Sequence, residues 1–386
     1  MGNLLGAPVT IKETDSGTTA NGIPYAVSSM QGWRVSMEDA HIMEPNLYVN
    51  NMDTCQQESL PDHALFAVFD GHGGASAALY AGRNFLRVLS RQPAFCAYAQ
   101  WYLHEKEQRK PFKSPKNKEA YMTSGLNLLK EALQTAFLEM DKEIALALRG
   151  DKVVDADEPY HPDTAAAATA AATTADGTTT DAAAHNNNNR MMKEEEAGGD
   201  SGTTACVVLL TPDWIICANA GDSRAVLSRK TLRAVALSED HKPDDDVEEK
   251  RVRAAGGFVA GGRVEGDLAV SRGFGDFRFK NIPVVLSATS TGIASSVVEE
   301  QEEPTMKPGE QKISPIPDFV TVDRDDTQDE FMVVACDGIW DVLTNEELVS
   351  AVGKLFQEGE SNLGLICEEV RYCLRRYLLR SLLTSM

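Results

Sequence analysis

The sequence predicts a layered α+β domain, and three observations carry that prediction. Short apolar runs of strand length recur along the chain: Ala64–Phe69, Ala205–Leu210, Trp214–Ala218, Ala225–Leu227 and Phe331–Cys336. Leu126, Leu129, Leu133, Phe137, Met140 and Ile144 fall at helical spacing and make one broad apolar stripe. Strands and helices come in blocks rather than strict alternation, which favours α+β layers over a doubly wound parallel sheet.

Each element has its local reason. The runs 205–210 and 214–219 are joined by Thr211-Pro212-Asp213, a turn sequence, and so predict a hairpin. Residues 247–255 predict a helix that stops at Gly256-Gly257. Residues 346–356 predict a second amphipathic helix. The first 22 residues read as a polar tail. Residues 151–200 are low in complexity, with alanine, threonine and asparagine runs and almost no large apolar side chain. Such a stretch cannot bury enough surface to offset its ordering entropy, so it reads as a disordered insertion. Residues 287–315 are irregular, rich in Ser, Thr, Glu and Pro.

Composition narrows the function. The 386-residue chain carries 37 Lys and Arg against 58 Asp and Glu, a formal charge of −21. That balance argues against a nucleic-acid backbone as partner. It suits a protein that gathers divalent cations, and equally one that is simply soluble. A 42% hydrophobic share is ample for a packed core. No apolar run approaches the ~18 residues of a membrane span. Seven cysteines form no CxxC pair; Cys206, Cys217 and Cys336 sit in strand-like runs as small hydrophobes. The odd count and the absence of a secretory start point to a reducing compartment, cytoplasm or nucleus. Met1-Gly2 raises N-myristoylation, although Gly6 stands where Ser or Thr is preferred.

The chemistry lies at strand ends. Asp70-Gly71-His72-Gly73-Gly74, Gly221-Asp222-Ser223-Arg224 and Asp337-Gly338 each follow an apolar run. A carboxylate there is held rigidly at a sheet edge, and the neighbouring glycine admits a close backbone or a small hydrated ligand. Each Asp-Gly alone would be an ordinary turn. Three together suggest an oxygen-rich site for Mg²⁺ or Mn²⁺ rather than Zn²⁺. A cysteine-phosphatase loop, HExxH, GxxxxGK[ST] and GxSxG are all absent from the sequence.

Taken in order, the motifs SMQGWR (29–34), MEDAH (37–41), VFDGHGG (68–74), SGTTA (201–205), NAGDSR (219–224), EDHKP (239–243), LAVSRGFGDF (268–277) and ACDGIWD (335–341) resemble the type 2C metal-dependent Ser/Thr protein phosphatases. The resemblance implies an α-β-β-α sandwich of two antiparallel sheets flanked by helices, with a metal site at one edge. It implies phosphoprotein substrates, a monomer, and two core Mg²⁺ or Mn²⁺ ions with a weaker third. Asp70 would bridge the core ions and the Gly71 carbonyl would complete one shell. Asp337 would be a direct ligand. Glu38 would hold the second ion largely through water, and Asp222 with Asp337 would offer the third site. Arg34 would clamp the substrate phosphate with its planar fork. His72 would protonate the leaving oxygen. Asp39, Asp276, Asp341 and Thr204 would support these groups. Arg224 and Arg272 read as supports of the fold.

The family closes its domain with an Asp-Asn-Met-Thr/Ser motif leading into a last strand, and that Asp is a metal ligand. Here Asp341 is the last aspartate, and the sequence after Cys373 is basic and leucine-rich. The expected organisation is therefore a tail (1–22), a catalytic domain (23–373) interrupted at 151–200 and lacking its last strand, and a divergent basic tail (374–386). Three readings stay open: a shortened active phosphatase, a metal-impaired pseudophosphatase that binds phosphoproteins, or replacement of the ligand by glutamate or water. A small-molecule phosphomonoesterase is a further option.

Overall fold

The computed structural model describes residues 4–50, 57–108, 115–151, 153, 160, 200–280 and 306–370. In chain order it begins with strands β1 (Leu4–Val9), β2 (Glu13–Thr18), β3 (Pro24–Ser29), β4 (Gly32–Arg34), β5 (Ala40–Glu44), β6 (Leu47–Asn50), β7 (Gln57–Leu60), β8 (Ala64–Phe69) and β9 (Gly71–His72). Helices α1 (Ser76–Ser90), α2 (Pro93–Gln108) and α3 (Pro115–Leu148) follow. Then come β10 (Gly202–Thr203), β11 (Ala205–Leu210), β12 (Trp214–Ala220), β13 (Arg224–Arg229) and β14 (Arg233–Ala236). Helix α4 (Asp246–Ala254) precedes the short strands β15 (Val259–Ala260), β16 (Arg263–Val264) and β17 (Phe274–Gly275). The described chain closes with β18 (Asp318–Asp323), β19 (Asp329–Ala335), α5 (Asp337–Trp340), α6 (Asn345–Gln357) and helical residues 363–370.

Two antiparallel sheets form the middle layers. One runs β18-β12-β11-β8-β5 and the other β14-β13-β19. Side-chain alternation on each strand decides what each face meets. In β8, Leu65, Ala67 and Phe69 join α1, α2 and α3 in the largest core; Ala64 and Phe66 turn the other way. In β11, Val207 and Leu209 face the helices, whereas Cys206, Val208 and Leu210 face the second sheet. Ala225, Leu227, Met332 and Val334 complete that inter-sheet core. Val226, Phe331 and Val333 face outward onto α6 and residues 363–370 through Leu348, Val352, Ile366 and Val370. The result is the α-β-β-α sandwich that the resemblance implied.

Most predicted elements form where expected. The hairpin pairs Leu210 with Ile215, and Trp214 N–H donates to Thr211 Oγ1 at 2.8 Å to tighten its turn. The stripe of α3 is buried from Leu129 through Ile144. Gly256, at φ +78, ends α4 with a backbone most residues avoid. Helix α6 is capped by Thr344, whose Oγ1 accepts from Glu347 N–H while Glu347 Oε2 accepts from Thr344 N–H. Helices α1 and α2 add to the expected elements; α1 buries Ala77, Ala78, Tyr80, Ala81, Phe85, Val88 and Leu89, one helical face.

One expectation is corrected: within the expected tail 1–22, residues 4–9 and 13–18 form strands. Strand β2 pairs along its length with β3, from Glu13 opposite Ser29 to Thr18 opposite Pro24. Strand β1 pairs with β4, Leu4 opposite Arg34. Backbone pairing needs no apolar side chains, so a polar stretch can still be a strand. Within 151–200 the described residues are Asp151, Val153, Tyr160 and Asp200, and the rest of that predicted insertion lies outside the described residues. Tyr160 is buried, and its phenolic oxygen accepts from Tyr48 N–H at 2.6 Å. The predicted irregular stretch is described only from 306 onward, and the basic tail 374–386 not at all. Strand β19 forms an edge of the smaller sheet among the described residues.

Candidate active site

Asp70 ends β8, the second strand in from the β5 edge of the five-stranded sheet. Its backbone is fixed from the hairpin side: Thr204 Oγ1 accepts from Asp70 N–H at 3.2 Å, and Thr204 N–H and Thr203 Oγ1 both donate to Asp70 O at 3.0 Å. Thr204 Oγ1 also lies 2.8 Å from Ser223 Oγ, which ties Asp70 to the GDSR loop. Thr204 thus bonds both the N–H and the carbonyl of Asp70. Gly71 lies against the Glu38 carbonyl; a Cβ there would collide with that oxygen. Only glycine lets the MEDAH segment sit this close to the DGHGG loop.

Asp39, Asp222 and Asp337 gather electrostatically around Asp70. Burial, then these three carboxylates, push the Asp70 carboxyl up to about 9. Asp337 opens α5 and is also shifted upward, by burial first and then by Asp222 and Asp341. Lys242 answers part of this charge: its Nζ donates to Asp222 Oδ2 at 2.6 Å. Burial alone would lower the Lys242 ammonium, but Asp222, Asp240 and Asp341 more than offset it.

The donor set fits a hard cation. It is all oxygen, and Asp39, Asp70, Asp222 and Asp337 act on one another electrostatically in one patch. Among the described residues, no three His, Cys, Asp or Glu side chains close on one point as a finished cage does. An oxygen-only set of this kind is the chemistry a hard ion such as Mg²⁺ prefers.

His72 sits on the far side of Gly71. Its Nε2 lies 2.8 and 2.9 Å from the two oxygens of Asp276. Burial would lower the imidazole, yet the Asp276 carboxylate and the more distant Asp222 and Glu38 reverse this, and the net shift is upward. Asp276 is buried, in a left-handed conformation at φ +54, just after β17. Phe274 on β17 packs edge-on against Phe137 of α3, ring centroids 5.1 Å apart. Gly275 N–H donates to Asp141 Oδ1 at 2.9 Å, and the buried Lys280 ammonium donates to that oxygen at 2.7 Å. The helix layer thus aims the His72 partner. Gly202 leaves the room: a Cβ there would collide with both Asp276 and His72.

Arg34 stands apart. It is exposed at the end of β4, and its guanidinium engages no described residue. Other arginines behave as the sequence suggested. Arg224 makes a bidentate pair with Asp240, both contacts 2.8 Å, and lies over the Trp340 ring. Arg272 donates to Glu248 and, at 2.8 Å, to Asp318. Sequence reasoning missed three contributors, the Asp141–Lys280 pair, Gly202 and Glu248. Only the SGTTA motif around Gly202 carried any signal.

Stacked antiparallel sheets between helix layers, with acidic strand ends at one edge, define an α-β-β-α sandwich. The comparisons agree. The family model described as Protein phosphatase 2C matches residues 23–152 and 169–377. Protein phosphatase 2C homolog 3 of Schizosaccharomyces pombe is 33% identical over 361 residues, covering 94% of this chain and 61% of that protein. Protein phosphatase 2C homolog 2 of the same organism is 32% identical, covering 96% of this chain and 72% of that protein. The crystal structure of serine-threonine phosphatase 2C from Toxoplasma gondii is similar in fold, with a TM-score of 0.56 at 17% identity, covering 98% of this chain and 94% of that one. The chain belongs to the protein phosphatase 2C family. It spans about three fifths of the length of several curated relatives.

Proposed function

We propose that this chain hydrolyses phosphoserine and phosphothreonine in proteins, dependent on Mg²⁺ or Mn²⁺ and without a phosphoenzyme. One observation carries the reading: Asp70, fixed behind β8 by Thr203 and Thr204, shares one acidic patch with Asp39, Asp222 and Asp337. Asp70, the Gly71 carbonyl and Asp337 would hold the core ions, Glu38 the second of them with Asp39 beside it, and Asp222 with Asp337 a weaker third. Bound, the ions supply a nucleophilic water at neutral pH and neutralise phosphate charge.

The protein's own groups do the rest. Arg34 offers a free planar fork suited to a phosphate. His72, kept protonated by Asp276, donates a proton to the departing Ser or Thr oxygen through its ring. Asp276 holds the imidazole from behind, and Thr204 holds Asp70. We further propose that the protein acts as a monomer in cytoplasm or nucleus, in keeping with the buried free thiols of Cys206 and Cys217.

The test is phosphate release from a phosphothreonine peptide in Mn²⁺ of about 1–10 mM, enough for a weak oxygen site. Turnover that Asp70→Asn abolishes supports the proposal. A second reading is a metal-impaired phosphoprotein binder. It predicts phosphopeptide binding without turnover in the same assay.

A further inference from the structure

Arg34 differs from every other arginine near the site. Arg224 is aimed by Asp240 and Asn345, Arg251 by Glu248 and backbone carbonyls, and Arg272 by Glu248 and Asp318. Each of those forks is oriented by partners of its own. The Arg34 fork has none among the described residues, so it can be aimed only through its backbone.

That backbone is held from two sides. Gln31 Nε2 donates to Arg34 O and to Val35 O, both at 2.9 Å. Both hydrogens of one side-chain amide are used, and since carbonyls only accept, the amide can serve them only with its NH₂ end. The loop between is tight: Gly32 is left-handed at φ +69. From the opposite side, β1 pairs with β4, Leu4 opposite Arg34 and Val9 opposite Gly32. Pro8, which lacks an N–H, falls within the irregular part of that pairing. Both Gln31 contacts are exposed, so water can replace them at little cost to the fold. What they remove is conformational freedom of residues 31–35.

We propose that Gln31 is a positioning residue for Arg34, and that its amide clip, together with β1, pre-orients the guanidinium for a phosphate. The inference rests on the phosphate-clamp reading of Arg34. Loss of the clip lets the loop sample other conformations, and phosphate affinity falls by the fraction of time the fork is misplaced. Chemistry on substrate once bound is untouched.

The experiment compares Gln31→Glu, nearly isosteric but unable to donate, with Gln31→Leu, Arg34→Ala and the double variant Gln31→Glu/Arg34→Ala. Two readouts are taken in Mn²⁺: steady-state kinetics on a phosphothreonine peptide, and anisotropy of a fluorescent peptide carrying a non-hydrolysable phosphonate. Both Gln31 variants are expected to raise KM and the phosphonate Kd about five- to tenfold, the scale of one or two hydrogen bonds, with kcat within about twofold and Tm unchanged. In the Arg34→Ala background, Gln31→Glu is expected to add nothing, because there is no fork left to aim. A Gln31→Glu effect that persists undiminished in that background, or a loss that follows Tm, overturns the inference. If Arg34→Ala leaves both KM and phosphonate affinity unchanged, the clamp reading itself fails. If Arg34→Ala weakens binding and the Gln31 variants do not, only the positioning inference fails. The anisotropy arm reads the outcome even in a protein without turnover.

Discussion

His72 Nε2 lies 2.8 Å from Asp276 Oδ1, joining residues 204 apart in sequence across β9, β10 and β17. Burial opposes a charged imidazole there, and the carboxylate more than compensates. In the proposed mechanism, Asp276 thus favours the charged imidazole that would protonate the leaving oxygen.

Asp276→Asn should therefore move the alkaline limb of the kcat profile to lower pH. The imidazole keeps its burial and loses its counter-charge, so it sheds its proton earlier. At pH 8 the fall in kcat is expected to be about tenfold or more, within the range for a mispositioned general acid. The pair also contributes stability that is fully present below the ordinary histidine range and lost as pH rises through the raised His72 value. A pH–rate profile with its alkaline limb unmoved would exclude the pairing as a catalytic device.

Without divalent ions, stability should decline as pH rises from about 4 toward 9. Folding raises the Asp70 carboxyl from 3.8 to about 9, so over that window the native state holds more protons than the unfolded chain. Mn²⁺ should reverse the trend and raise Tm most at high pH. Asp70→Asn should raise the metal-free Tm at pH 8 and flatten the Mn²⁺ response. Thermal melts across pH, with and without Mn²⁺, decide this; a Mn²⁺ shift equal in both proteins would contradict it.

Gly202→Ala should act like a small wedge. The new methyl would collide with both Asp276 and His72, and neither can retreat, since Asp276 is buried. Overpacking of this kind costs about 1–3 kcal/mol. The expected signature is a lower Tm together with a downward shift of the alkaline limb, which a cost in fold alone would not produce.

Glu248→Gln tests the network beneath the flanking helix α4. Burial would raise this carboxyl, but Arg272 and Arg251 overcome it and hold the group down to about 2. It donates nothing; it accepts from Ser271 Oγ at 2.7 Å and from Arg272. Removing its charge leaves buried guanidinium uncompensated, at about 3–5 kcal/mol. In the wild type the stabilisation is present above the ordinary glutamate range and lost as pH falls through about 2. Denaturant midpoints at pH 7 would show it; an unchanged midpoint would mean that Asp318 alone satisfies Arg272.

Much of this was legible in the chain itself. Alternation in Ala205–Leu210 and the α3 stripe dictated which faces are apolar, because side-chain direction follows backbone period. The motif order carried the resemblance, and with it the acidic strand ends. The polar composition of residues 13–18, by contrast, misled, since strand pairing there runs on backbone groups rather than apolar side chains. What only the tertiary structure decided is distance between residues far apart in sequence. Nothing local announces that Asp276 backs His72, that Lys280 braces Asp141, or that Gly202 must leave room for both. Those contacts exist because three separate strands meet at one sheet edge, and chain periodicity does not encode which edges meet.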